Sequence, residues 1–482
     1  MKFLGKLEKT KEFWFLLIAS VFFFLLRFPS LFEPYWYGDE GIYQVLGMGI
    51  RQGKLLYRDI FDNKPPLLYV FYSFFNGDQF WIRFLSLVFG LGAVIAFFYL
   101  SKLLFKKTKI AYLTTSIFAV LFGLPIIEGN IANAENFMLL PLILGAILIV
   151  WKKHFKYKYF LAGLLVGIAF LVKIVAVFDF AGFFIFIILT NFKFNFKNLK
   201  NKSLPILSLI LGFVLPIFLT TVFFVAQGAF PDFIKATFFS NIGYVSYGNK
   251  FLIPQGLLIL KLVALGLFTF LVLKKRDKLG IEGIFIYLWF AFSLYNAFFS
   301  QRPYTHYLLV LLPSFCLLIG FALDNAVFRK FSFLVLLITI ILVVQNFWIF
   351  TKTEYYYQNF LSFIVGKNST IEYENFFDRN VPLDNKLASY INNNELESDS
   401  IFLWGNNAQL YKLTNKLPPE KYVVAYHILS YKDGYQITKN VLIKTKPKLI
   451  IIMPNVPSYP FSLSGYNLKI IINSVAIYER IL

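Results

Sequence analysis

Along its first 350 residues the chain alternates long apolar runs with short polar connectors. About eleven of these runs are long enough to cross a bilayer as helices, at about 20 residues per crossing. They stand at 13–32, 81–101, 110–127, 136–151, 158–173, 175–192, 204–226, 255–273, 281–299, 307–325 and 331–350. Beyond residue 350 the pattern changes: Asn, Lys, Asp and Pro enter, and the apolar stretches shorten to strand length, as in 401–404, 421–426 and 448–454. Modest helical periodicity lies between them, around 384–390 and 408–413. The pattern predicts an α-helical polytopic membrane region over 1–351 and a small extracytoplasmic α/β domain over 352–482.

Composition agrees with this reading. Hydrophobic residues make up 58% of 482 and charged residues only 15%, with 61 phenylalanines, far from the balance of a soluble domain. The formal net charge of +21 would suit nucleic acid, but its placement does not. The lysines gather in alternate loops: Lys2, Lys6, Lys9 and Lys11; Lys102, Lys106, Lys107 and Lys109; Lys152, Lys153, Lys156 and Lys158; Lys193, Lys197, Lys200 and Lys202; Lys274, Lys275, Arg276 and Lys278; Arg329 and Lys330. Under the positive-inside rule these loops and the N-terminus face the cytoplasm. Loops 33–80, 128–135, 227–254 and 300–306 then face outward, as does the C-terminal domain. No nucleic-acid partner is expected. The single cysteine, Cys316, excludes an intrachain disulfide. The N-terminal run lacks a small-residue cleavage site and reads as an uncleaved signal-anchor of a plasma-membrane protein.

The first outward loop holds acids, bases and prolines where the flanking chain is lipid-like. Ile42, Val45, Leu46, Gly49 and Ile50 follow the spacing of an amphipathic helix, expected to lie at the membrane interface. Asp39 and Glu40 fall at its N-terminus, where the helix dipole favours anions; Asp39 equally suits a plain N-cap. Further on, Asp62-Asn63-Lys64-Pro65-Pro66 precedes Leu67–Tyr72. The prolines suit a helix's first turn, so Lys64 sits just ahead of a positive helix end. A cation there calls for a counter-anion such as phosphate, with Arg58 and Lys54 nearby; a solvated basic loop is the plainer alternative.

Asp39-Glu40 followed by LLYRDIFDNKPPLLY resembles the first periplasmic loop of the GT-C glycosyltransferases, the group of protein O-mannosyltransferases and lipid A aminoarabinose transferases. The order also matches: span, acidic pair, interfacial helix, Lys-Pro-Pro, second interfacial helix, span. The resemblance implies a GT-C fold of about eleven transmembrane helices and an inverting transfer of sugar from a polyprenyl-phosphate donor to an acceptor hydroxyl of a lipid, glycan or protein on the outer face. It implies that Asp39 acts as general base, helped by Glu40 or Glu135, and that Lys64 holds the donor phosphate. It also matches Arg302 and His306, which open the tenth run, to the family's arginine and histidine before a span; Arg302 can grip phosphate in bidentate fashion, and His306 can donate to phosphate or to the sugar. No metal site and no required cofactor is indicated.

Other readings stand beside these roles. Glu135, chosen over Glu128 as the acid of the second outward loop, can cap the fourth helix. Lys173 can snorkel as an anchor or contact phosphate, with Asp179 as a candidate partner. His306 can be a buried core histidine. A flippase of lipid-linked sugars would need the same cations but no base, and a polysaccharide polymerase or ligase is a further alternative. No inverted repeat supports a transporter.

Overall fold

The computed structural model describes residues 11–153, 155–191, 199–253, 255–396 and 398–481. Lys2, Lys6, Lys9, Lys193 and Lys197, on which part of the topology rests, lie outside the described residues. Each expected crossing is met by an apolar helix. Six are at least 18 residues long, at Lys11–Phe32, Gln79–Leu104, Ser203–Ala226, Gly256–Lys274, Arg276–Ala297 and Arg329–Asn346. Shorter apolar helices occupy Thr108–Gly123, Ala134–Val150, Lys158–Val172, Ala176–Thr190 and Leu312–Asp324. Lipid offers no hydrogen-bond partner, so a spanning backbone must pair within its own helix. The chain is an integral membrane protein, with apolar faces such as Leu262, Leu267 and Phe270 left exposed where lipid would cover them.

The chain forms two compact units. The first comprises Met1–Ser30, Arg83–Gln227 and Thr237–Thr353 and is helical. Its tightest contact joins Lys158–Val172 to Leu199–Ala226 through glycines. A Cβ on Gly212 would stand 2.0 Å from the Phe160 carbonyl oxygen, and one on Gly163 2.1 Å from that of Leu209. Small residues let backbones meet where lipid supplies no hydrophobic drive between helices. Two buried arginines in this unit are paired: Arg27 donates to Ser86 and Asn136, and Arg83 to the Ser30 carbonyl at 2.8 Å.

The second unit comprises Leu31–Ile82, Gly228–Ala236 and Glu354–Leu482, so the polar loop after the first apolar helix groups with the C-terminal segment. Its four-stranded sheet contains β1 (Ile401–Trp404), β2 (Leu449–Ile452), β3 (Tyr466–Ile472) and β4 (Val475–Arg480) in the order β1-β2-β4-β3. β1 and β2 are parallel, and β4 runs antiparallel to β2 and β3. Two of the strand-like runs are therefore strands. The third, 421–426, is not: Tyr422 makes only an isolated bridge to Phe61, and Ala425–Ser430 is helical. The hairpin β3–β4 was not expected from sequence. Helices Val381–Asn394 and Gln409–Leu413 match the modest helical periodicity.

The amphipathic stretch of the first loop forms helix Gly38–Arg51, and Pro66–Phe74 forms the second, with Pro66 at its first position. The first helix is buried on both faces from Glu40 to Gly49, so its polar side is not left to the interface. Gly47 makes this possible: a Cβ there would lie 2.7 Å from the Tyr72 backbone, so the two helices touch.

Two predictions follow from this packing. Gly212→Leu forces apart helices that meet backbone to backbone, and the unfolding midpoint in detergent should fall by the equivalent of about 1–3 kcal/mol; an unchanged midpoint refutes the contact. In the second unit, buried Glu420 accepts from Thr438 at 2.5 Å while its other oxygen has no partner among the described residues. Burial raises its pKa from 4.5 to about 8. The folded form thus holds a proton that the unfolded chain releases. The stability it lends is complete below about pH 4.5 and lost as pH rises to about 8. Glu420→Gln should flatten that decline, worth on the order of a few kcal/mol, in unfolding curves taken across the range; an identical pH slope refutes it.

Candidate active site

The loop around Lys64 is built on its backbone. Tyr57 Oη donates to the Lys64 carbonyl at 2.7 Å, and the Lys64 N–H donates to Tyr69 Oη at 3.0 Å. Tyr57 holds a left-handed backbone, φ 69°, unusual for a bulky residue and sustained by a fully buried ring. Tyr69 Oη in turn donates to Asp62 Oδ2 at 2.8 Å. Lys64 therefore enters the helix Pro66–Phe74 from a segment pinned on both sides.

Its ammonium lies 3.3 Å from Asp39 Oδ2, 3.8 Å from Asp62 Oδ2 and 4.7 Å from the centre of the Tyr43 ring. Tyr43 Oη donates to Asp39 Oδ2 at 2.8 Å. Burial, reinforced by the nearby carboxylates, holds the hydroxyls of Tyr43, Tyr57 and Tyr69 well above the usual phenol range, so they remain neutral donors. Asp39 does not cap its helix; Tyr37 takes that position with no side-chain bond. The Asp39 side chain is 39% exposed against 18% for Lys64 and 4% for Asp62. The accessible carboxylate is thus Asp39, and Asp62 is the buried anchor of the cation.

The other expected residues fall in separate places. Glu40 is fully buried in the first turn beside Asp39. Arg58 turns to its neighbour Asp59, with bonds of 2.9 and 3.2 Å on a half-exposed face. In the helical unit, Glu135 lies buried in the first turn of Ala134–Val150, whose cap is Asn133 rather than Glu135. Lys173 closes Lys158–Val172, donates to Glu135 and stands 4.3 Å over the Tyr307 ring. The pairing of Lys173 with Asp179 does not form. Asp179 accepts instead from Trp289, Ser293 and Asn296 at 2.8–3.3 Å, because it points from the next helix into a different helix pair. His306 meets Glu128 at 2.9 Å, and Thr305 donates to Glu128 at 2.7 Å. Arg302 sits in the same loop, four residues before His306. Glu128, the second choice from sequence, is thus the partner of His306.

Sequence reading underweighted Asp62 and missed His427. Asp62 lay in a run already singled out, two residues before the lysine. His427 is one of three histidines in the chain, and that rarity was its only signal. Among the described residues no group of three or more His, Cys, Asp or Glu side chains is arranged to hold a metal ion.

The fold is that of the GT-C membrane glycosyltransferases. The chain aligns over 98% of its length with ArnT from Cupriavidus metallidurans, covering 99% of that chain at 12% identity with a TM-score of 0.54 in the undecaprenyl phosphate-bound structure. Against the apo form the identity is 11% and the TM-score 0.56, with the same coverage. The archaeal oligosaccharyltransferase AglB from Archaeoglobus fulgidus gives 12% identity and a TM-score of 0.48, covering 92% of this chain and 69% of that one. No curated protein matches the chain by sequence. Residues 61–230, about a third of the chain, match the family model of dolichyl-phosphate-mannose-protein mannosyltransferases.

Proposed function

We propose that the protein transfers a sugar from a polyprenyl-phosphate-linked donor to an acceptor hydroxyl at the outer face of the plasma membrane, by a single inverting displacement. The observation that carries this reading is the Asp39–Lys64 pair: an accessible carboxylate 3.3 Å from an ammonium, with Lys64 two residues ahead of the helix Pro66–Phe74 in the chain. The undecaprenyl phosphate in the C. metallidurans ArnT structure belongs to the carrier class that this site suits.

The chemistry follows from the two groups. The acceptor oxygen bonds to the anomeric carbon as the bond from that carbon to the phosphate oxygen breaks, and the hydroxyl proton passes to Asp39. A phosphate leaving group carries its charge on oxygens and needs no proton to depart. A fixed cation and the free N–H groups of the helix end therefore supply what a general acid would give elsewhere. Because Lys64 also pairs with Asp39 in the resting site, a phosphate that draws the ammonium to itself leaves Asp39 freer to act as base. In the helical unit Glu135, Lys173, Arg302 and His306 are proposed as further polar contacts for substrate, with Glu40 supporting Asp39 and Arg58 contributing a general positive field. Acceptors remain lipid, glycan or protein, and the family model's description favours a hexose such as mannose.

Asp39→Asn should lower transfer by about 10²–10⁴-fold while the protein still binds undecaprenyl phosphate. Lys64→Ala should weaken that binding by roughly 10–100-fold. Lipid binding and sugar transfer measured on the purified protein in nanodiscs separate the two. Wild-type turnover in Asp39→Asn would remove the base assignment, whereas lipid binding with no sugar transfer by the wild-type protein would favour a flippase of lipid-linked sugars, which needs the same cation and no base.

A further inference from the structure

The C-terminal segment reaches the phosphate-holding loop within the second unit. The Phe61 N–H donates to the Lys421 carbonyl at 2.9 Å. The Phe61 ring is enclosed by Tyr422, His427 and Tyr431, with centroids at 5.3, 5.6 and 4.8 Å. Tyr422 and Tyr431 stack on each other at 11°, and Tyr422 is tied to Asp433 at 3.0 Å. Phe61 is thus an anchor, and the next residue along the chain is Asp62.

Asp62 divides its carboxylate between two parts of the chain. Oδ2 accepts from Tyr69, whose oxygen accepts the Lys64 N–H, and the same Oδ2 lies 3.8 Å from the Lys64 ammonium. Asp62 therefore holds both the backbone and the side-chain charge of Lys64. Oδ1 faces His427 Nε2 at 3.7 Å. Both side chains are only 4% exposed, so no bulk water reaches between them to take over the contact. Burial pushes His427 down to about 4. At neutral pH it meets the carboxylate as an uncharged ring dipole rather than as a second cation competing with Lys64. Its Nδ1 has no partner among the described residues, and at 3.7 Å the approach of Nε2 to Asp62 is an electrostatic contact longer than a hydrogen bond.

We propose that His427 is a positioning residue for the donor site: it fixes the rotation of the Asp62 carboxylate, which holds Lys64 where phosphate binds. This rests on the assignment of Lys64 to the donor phosphate. It gives the C-terminal segment a part in donor binding, and it explains why a short stretch with a strand-like sequence is folded instead as a bridge and a helical turn. A buried carboxylate with one oxygen unaddressed is free to turn, and its rotation would carry the Tyr69 and Lys64 bonds with it.

The test titrates undecaprenyl phosphate onto the full-length protein in nanodiscs, read by native mass spectrometry, for wild type, Lys64→Ala, His427→Phe and His427→Gln. Phe keeps the ring contacts with Phe61 and loses the N–H; Gln keeps an N–H within reach of Asp62. His427→Phe should raise the apparent Kd on the order of fivefold, with His427→Gln within about twofold of wild type and the thermal midpoints of both close to wild type. Should His427→Phe not purify folded, His427→Asn, whose shorter amide cannot reach Asp62, takes its place with the same expectation. Wild-type affinity in His427→Phe, or equal losses in Phe and Gln, overturns the positioning role while Lys64→Ala still weakens binding. If Lys64→Ala leaves affinity unchanged, it is the phosphate assignment itself that fails.

Discussion

A cation at the positive end of a helix is the constraint on which the rest of the loop depends. Left alone, the Lys64 ammonium would be repelled by the N-terminus of Pro66–Phe74. Two carboxylates and an aromatic face hold it there, and two tyrosine hydroxyls fix its backbone. The two carboxylates compensate the charge in the resting site. The two acids differ. Asp62 is buried and bound to Tyr69, so it anchors the cation. Asp39 is the nearer partner of the cation, at 3.3 Å against 3.8 Å for Asp62, but its side chain stays partly open.

The helical unit meets the same demand by other means. Three buried ionisable groups among the described residues show this: Lys173 pairs with Glu135, His306 contacts Glu128, and Asp179 accepts from three neutral donors. Unpaired charge at such depth is expensive, so pairing is expected; the choice of partner is not. The glycine contact between Lys158–Val172 and Leu199–Ala226 likewise needs two backbones to meet, and no local pattern announces which ones.

How much was legible follows from the range of the physics involved. The apolar runs, the helix of the first loop and the Pro-initiated second helix could be read because they depend on period and on local backbone preference. The strands at 401–404 and 449–452 were readable as short apolar runs bounded by polar residues. The run at 421–426 had the same composition and became a bridge with a helical turn, because its aromatics close around Phe61 instead of joining the sheet. The hairpin β3–β4 escaped notice because Leu468, Ile470 and Ile471 are exposed, so the alternation that marks a half-buried strand is blurred.

The sequence by itself determined the apolar helices, the polar loop between the first two of them, and the two residues, Asp39 and Lys64, that the functional reading turns on. These follow from hydrogen-bond satisfaction in lipid and from the dipole of a helix whose start is marked by proline. Only the tertiary structure decided that Asp62 holds Lys64, that His427 faces Asp62, and that Glu135 rather than Asp179 receives Lys173. Those are contacts between groups distant along the chain or on different helices, and they exist only once packing has removed the water that would otherwise serve each of them.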